Sequence, residues 1–348
     1  MSGGTWNPTT LPIRPGVYIN FVEAAAAAIT GGERGVVALG LSTYTGGTAT
    51  VGKYYEVNTL AAADALFGSA NTMPIKLAFQ GGASRVIVYT LPTSPVTADY
   101  TAMRAGFDTQ FFNVFVAQVY NVTEQAALKT WLTTNRTDGK QFMLVIGGDA
   151  TTDADPTVGN TRSTLNADSA IVNVINGAIV DGVSYTSSAY APFVAGLIAG
   201  SNINESITYA PTTASDVTKR LSNAQTNAAL TAGSLVLTND GKRVKIEQGV
   251  VTSGKKIRAT RARQAVIDDI STTADESFIG RLQNNADGRA ALIASVTKYL
   301  ETLADNGVLE APIVTLDPNN PPVGDKVFLA ISYVEIDSME RIFFTINV

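Results

Sequence analysis

Histidine and cysteine are both absent from the 348 residues. Without imidazole there is no Ser-His-Asp triad, no His-ligated zinc and no ordinary proton shuttle near neutral pH. Without thiols there are no disulfides, thiolate metal sites or Cys nucleophiles. The groups left for chemistry are carboxylates, lysines and tyrosines, and none stands in a recognisable catalytic spacing. Asp149, Asp153 and Asp155 share one loop, but the segment lacks the Gly and distal Glu of an EF-hand. Asp268 and Asp269 follow Arg261 and Arg263 on a helical pattern, where ion pairing on a helix face accounts for them. GGERG (31–35) and GGAS (81–84) read as glycine turns. No Gly-x-x-x-x-Gly-Lys-Ser/Thr loop occurs, and no Gly-x-Gly-x-x-Gly follows a strand. The chain is therefore expected to be no enzyme and to carry no cofactor or metal.

One cluster of charge stands out: Lys242, Arg243, Lys245, Lys255, Lys256, Arg258, Arg261 and Arg263 are opposed within that span by Glu247 alone. Such a field could hold an acidic partner surface, and a solvated hairpin and helix start is the plainer account. No aromatic residues are interleaved to stack on bases, and the chain as a whole carries a net charge of -5, so nucleic acid is not expected as a partner. Charged residues make up 16% of the chain, against roughly 25% in typical soluble domains. A surface that poor in charge is either coated in Thr, Ser, Asn and Ala or covered by other subunits.

These residues must be carried by elements legible as periodic segments. The opening, MSGGTWNPTTLPIRPG, is polar and broken by proline, unlike a secretion signal. AYAPFVAGLIAG (189–200) falls short of the ~18 residues of a membrane span, so a soluble, cytoplasm-made chain is expected. Residues 34–41 and 84–91 read as strands flanking a helix over 58–68, with Asn58 as N-cap and Gly68 as stop. PTSPVT (92–97) reads as a linker. Beyond it, helix 98–106, strand 111–119, helix 123–135 and strand 141–147 alternate, followed by a polar loop over 148–168, a helix over 188–200, a strand over 206–210 and a helix over 214–229. That alternation argues for a layered α/β domain with a largely parallel sheet. Residues 234–250 read as a hairpin with a type I′ turn at Asp240-Gly241. Residues 260–305 are helical, and the chain closes with strands over 326–336 and 341–348 joined by DSME.

Both ends carry β-type runs without an obvious local partner. In RIFFTINV (341–348), alternation sets Ile342, Phe344, Ile346 and Val348 on one face and Phe343 and Thr345 on the other. GVYINFV (16–22) mirrors it, with Val17, Ile19 and Phe21 alternating against Tyr18. Unpaired, such strands are adhesive edges that natural proteins avoid. They either fold back on their own domain or add to the sheets of neighbouring subunits.

The segments FVAGLIAGSNINESITYA (193–210), LTNDGKRVKIEQGV (237–250), the Ile-Arg-Ala-x-Arg run with VIDDI (257–270), FIGRLQNNADGR (278–289) and GDKVFLAISYVEIDSMERIFFTINV (324–348), with the opening GGTW…RPGVYINF, resemble the sheath proteins of contractile phage tails and phage-tail-like bacteriocins. The resemblance implies a mixed fold: an N-terminal arm (1–23), a small N-terminal domain (24–92), a central layered α/β domain of subtilisin-like topology (98–233) and a C-terminal α+β domain (234–340). The last of these would be completed by exchanged terminal strands, including the arm 341–348. Larger members carry a β-sandwich where this chain has only PTSPVT, which implies a minimal sheath with a thin outer wall.

On that resemblance the function is a structural sheath subunit. It polymerises helically around a tail tube and contracts to drive the tube through a cell envelope. The implied partners are further copies of the chain, the tail tube protein, a baseplate and a tail terminator, with no membrane insertion. The implied location is a phage or phage-like tail assembled in a bacterial cytoplasm. Strand exchange falls on Val17, Tyr18, Ile19, Phe21, Ile342, Phe343, Phe344, Ile346 and Val348. Lys255, Lys256, Arg258, Arg281, Arg289 and Lys298 are the candidates to face the tube. A Rossmann-like enzyme and another self-assembling virion protein, of the tube or capsid, are the alternatives.

Overall fold

A computed structural model describes residues 3–4, 17–18, 28–29, 31–118 and 120–347. Near the N-terminus, Gly3–Gly4 (β1) and Val17–Tyr18 (β2) pair in parallel. The front strand thus has a partner in its own chain over those two residues, where none was expected. Ile19, Phe21 and Val348 lie outside the described residues.

Seven strands form one sheet. Val36–Leu41 (β3) and Tyr54–Val57 (β4) precede helices Leu60–Phe67 (α1) and Met73–Gly81 (α2), and Arg85–Thr90 (β5) follows. Helix Thr97–Phe107 (α3) leads to Val114–Val116 (β6), helix Val122–Thr137 (α4) to Met143–Ile146 (β7), and short helices Ala150–Asp153 (α5) and Pro156–Leu165 (α6) to Ile171–Val174 (β8). Ala178–Val180 (β9), Val183–Tyr185 (β10), helix Ser187–Gly200 (α7), Asp216–Val217 (β11), helix Asn223–Thr231 (α8) and Ser234–Leu235 (β12) come next. The sheet order is β12-β8-β7-β6-β3-β5-β4, parallel except for the edge strand β4. Runs such as VVALGL and RVIVYT are buried on both faces, as a parallel sheet between helical layers requires.

One sheet spans two of the expected units. β3 pairs with β5 on one side and with β6 on the other, so residues 36–90 and 114–235 share one layer. The PTSPVT link is a surface connection between β5 and α3 rather than a boundary between sheets. One face of the sheet packs on Phe67, Ile75, Leu77, Tyr190 and Phe193, the other on Met103, Phe107, Trp131, Leu132 and Phe142. Helices α2 and α7 approach so closely that a Cβ at Gly196 would meet the Ala78 carbonyl oxygen at 2.0 Å.

Six local expectations differ from the structure. The polar loop over 148–168 holds α5 and α6, started by the Asp149 and Asp155 side chains as N-caps with Pro156 in the first turn. The 206–210 segment is no strand, and the helix expected over 214–229 begins only at Asn223, after β11. The N-cap of α1 is Thr59, one residue beyond Asn58. The hairpin is confined to Leu237–Asn239 (β13) and Val244–Ile246 (β14). Its turn is not type I′, because Gly241 has a positive φ and Asp240 does not. The Asp240 carboxylate accepts instead from the Lys242 and Arg243 amides.

The remainder packs a second core on Ile29, Val266, Phe278, Val296, Tyr299, Leu300 and Val314. Helix Ile257–Thr273 (α9) ends in a π turn at Ala274–Phe278, and helix Ala286–Asp305 (α10) follows after a non-helical break over 279–285 in the stretch expected to be helical over 260–305. Strand Leu309–Leu316 (β15) then pairs antiparallel with Leu329–Glu335 (β16), bulged at Ala311–Pro312. Among the described residues, no helix is long and apolar enough to cross a membrane.

Candidate assembly interface

The C-terminal unit is welded to the large sheet through α9. Asp269, 1% exposed, accepts from the Arg34 guanidinium at 2.8 and 2.9 Å, from the Gly32 amide at 2.8 Å and from the Tyr299 hydroxyl at 2.5 Å. Burial and the adjacent Asp269 carboxylate hold the Tyr299 phenol well above its ordinary range. Further along α9, Gln264 donates to the Phe142 carbonyl, and Thr260 to that of Ser169. Asp268 lines a cleft beside Arg34, Asn113, Gln141, Arg261 and Gln264, and burial pushes its carboxyl up to about 7.

The same helix overturns part of the basic cluster. Arg258 is buried, and its guanidinium donates to the carbonyls of Asn204 and Gly307 at 2.9 and 2.8 Å. Arg261 is buried against the Ser201 and Asn202 carbonyls, and burial brings it down to about 10. Arg263 forms an ion pair with Glu335 of β16, Lys245 with Asp240, and Lys256 with Glu340. Arg258 therefore cannot reach a partner surface without leaving its site. Arg289 is half-buried and turned back on Asn284. Lys255, Arg281 and Lys298 stand exposed. The six candidates divide into a folding set and an outward set, a division the sequence does not reveal.

The outer part of this unit is left open. β15 and β16 form a two-stranded sheet joined by no other described strand. Beyond their packing on α10, they leave Ile313, Ile331 and Val334 exposed. Two strands are marginal without further pairing or cover. Pro312 and the bulge interrupt β15, while β16 is a proline-free run. Strand β15 falls in a stretch to which the sequence assigned no element, and it carries Pro312, a residue that sheets confine to edges and bulges.

After β16 the chain crosses a link at 336–340 and continues as an unpaired segment. Residues 341–347 adopt no strand within the subunit, against the strand expected there, and all are exposed. Ile342 is 59% exposed, Phe343 89%, Phe344 83% and Ile346 82%. Four large apolar side chains in five residues, presented to solvent in a subunit that also carries an unfinished sheet, form an exposed apolar feature for which the fold offers no internal cover. The contrast with Glu340 is abrupt. Its side chain is 8% exposed and accepts from Ser206 Oγ at 2.9 Å, Thr208 Oγ1 at 2.7 Å and Gln248 Nε2 at 2.8 Å.

Two family models match, the phage tail sheath protein central domain over residues 94–252 and the phage tail sheath C-terminal domain over 252–348. The tail sheath protein of Clostridium phage phiCD119 is 28% identical over 152 residues, covering 41% of this chain and 43% of that protein. Bacillus subtilis YqbK is 25% identical over 280 residues, covering 73% of this chain and 57% of that protein. The chain spans about half the length of these curated relatives. Among solved structures, the sheath tail protein of Desulfitobacterium hafniense aligns with a TM-score of 0.72 at 18% identity, over 92% of this chain and 100% of that one. The helical sheath of the anti-feeding prophage, in its contracted state, aligns with a TM-score of 0.75 at 17% identity, over 97% and 99%. At such identities the likeness is one of fold.

Proposed function

Because the chain belongs to the phage tail sheath family, its two domains matching residues 94–348, we propose that it is the structural, non-enzymatic subunit of a contractile sheath. Copies stack helically around a tail tube, and a baseplate triggers contraction that drives the tube through a target envelope. A tail terminator closes the far end. The particle is a phage or phage-like tail put together in a bacterial cytoplasm. Contact between one surface and a different surface on the next copy gives the open filament this role needs. The central seven-stranded layer corresponds in this reading to the subtilisin-like topology of the family.

The observation that carries the reading is the coexistence in one subunit of the exposed segment 341–347 and the unfinished β15–β16 sheet. The segment adds as a strand to that sheet in a neighbouring copy, and the front run around Val17, Tyr18, Ile19 and Phe21 adds likewise. About five backbone hydrogen bonds at roughly 1 kcal/mol net each, with about 1.5–3 kcal/mol for each of Ile342, Phe344 and Ile346, offset the cost of ordering the segment. Links of that size persist while weaker, polar contacts between subunit bodies are exchanged. The α9 weld makes the sheet and the C-terminal helices move together. Lys255, Arg281 and Lys298 are the cations that meet acidic groups of the tube, weakly and reversibly.

Electron microscopy of the purified chain and of a chain lacking 341–348 tests the reading. Striated hollow tubes are expected from the first and soluble, folded subunits from the second. Identical tubes from both would remove strand exchange from the mechanism.

A further inference from the structure

The socket around Glu340 is more elaborate than a surface hinge requires. Its donors come from two separate stretches, Ser206 and Thr208 from one and Gln248 and Lys256 from the other. The first of these is the 206–210 segment that failed to form a strand. Ile207 there is buried, while Tyr209 is held at φ 59°, a conformation costly for a bulky residue. Its ring lies under the Lys245 ammonium, 4.1 Å from Nζ to the centroid. The strained turn sets the Ser206 and Thr208 hydroxyls side by side, and Thr208 Oγ1 also receives the Gly249 amide at 3.0 Å. On either side of Glu340 the chain is open, Met339 being 84% exposed and residues 341–347 exposed throughout.

We propose that Glu340 is a positioning residue: its socket fixes where, and in which direction, the C-terminal segment leaves the subunit. The socket sets the length of the tether as well as its origin. With Glu340 seated, the free segment starts at residue 341. With it released, residues 336–340 join the tether and extend its reach by up to about 17 Å. A seated socket thus admits a neighbour at one spacing, and a released one admits a range. The proposal rests on strand exchange by residues 341–347, and its test separates the two ideas.

The absence of cysteine allows spin labels at M339C and at S271C, on the exposed face of α9. In the isolated subunit, wild-type Glu340 should give one narrow distance distribution. E340A and K256M should each widen it at least twofold while leaving the unfolding temperature nearly unchanged. In assembled tubes, both variants should lose uniform helical pitch. Distributions as narrow as wild type in both variants, or tubes of wild-type pitch from both, would overturn the socket. Normal tubes from the chain lacking 341–348 would instead overturn strand exchange, leaving the distance measurement to report on Glu340 alone.

Discussion

Truncating Phe344 to alanine separates assembly from folding in one substitution. In the subunit Phe344 is 83% exposed, so its ring supports nothing in the isolated fold and F344A should melt at the wild-type temperature. If the ring is buried in a neighbour's sheet, nearly all of its apolar area leaves water at that step. Its loss then costs about 2–3 kcal/mol per link. At 1.4 kcal/mol per tenfold, that raises the critical concentration for polymerisation roughly 30- to 150-fold. F107A is the matched control. Phe107 is fully buried, with Tyr54, Phe112 and Phe115 ring centroids 5.1, 5.6 and 5.4 Å away, and its truncation should cost about 3–5 kcal/mol of subunit stability. Sedimentation across a concentration series gives the first quantity, and denaturant unfolding of the soluble subunit gives the second. An F344A subunit destabilised as much as F107A, or one that polymerises at the wild-type concentration, would refute the argument.

Asp268 sets a pH dependence. Its carboxyl titrates near 3.8 when unfolded and is pushed up to about 7 by burial in the folded subunit. Between those values the folded state holds the extra proton, so this group makes stability fall as pH rises from about 4 to about 7, with no further loss above. D268N should flatten that part of the profile and raise stability at pH 8, as read from unfolding temperatures across pH. Unchanged slopes would exclude Asp268 as the source. Charge reversal splits the basic residues in the same spirit. R258E should unfold the subunit, because it sets a carboxylate against the Asn204 and Gly307 carbonyls. K255E, R281E and K298E should leave unfolding temperatures unchanged and impair sheathing of tubes. Normal sheathing by all three would clear them of a tube-facing role.

What sequence could and could not show follows from the range of each interaction. Continuous apolar runs such as VVALGL and RVIVYT declare buried strands by themselves, and the solvent-facing periodicity of α3 and α4 declares helices. Sheet neighbours are not local: nothing in residues 34–91 announces that β3 takes β6, more than seventy residues on, as its second partner. The α5–α6 pair was legible in principle, since Asp155 followed by Pro156 is a helix start, but the surrounding polar residues outweighed it. Arg258 and Arg261 read as surface cations because their partners are backbone carbonyls from remote turns, which carry no side-chain signature. The terminal segment was legible as an alternating apolar run, but within the subunit it forms no strand. The full exposure of its side chains emerged only from the fold, as did the buried side chain of Glu340 in the link preceding it.

The placement of β3 between a strand that precedes the 92–96 connection and one that follows it has a consequence for how such a molecule can be altered. The connection joins parts already held together by a full parallel ladder, so its length bears little on registry within the layer. A foreign module spliced in at Thr93 or Ser94 would hang from the outside as a passenger, and stress carried through the body would bypass it. Decoration and mechanics are thereby uncoupled: the outer face is free to diverge or be engineered while the stiff interior stays as it is.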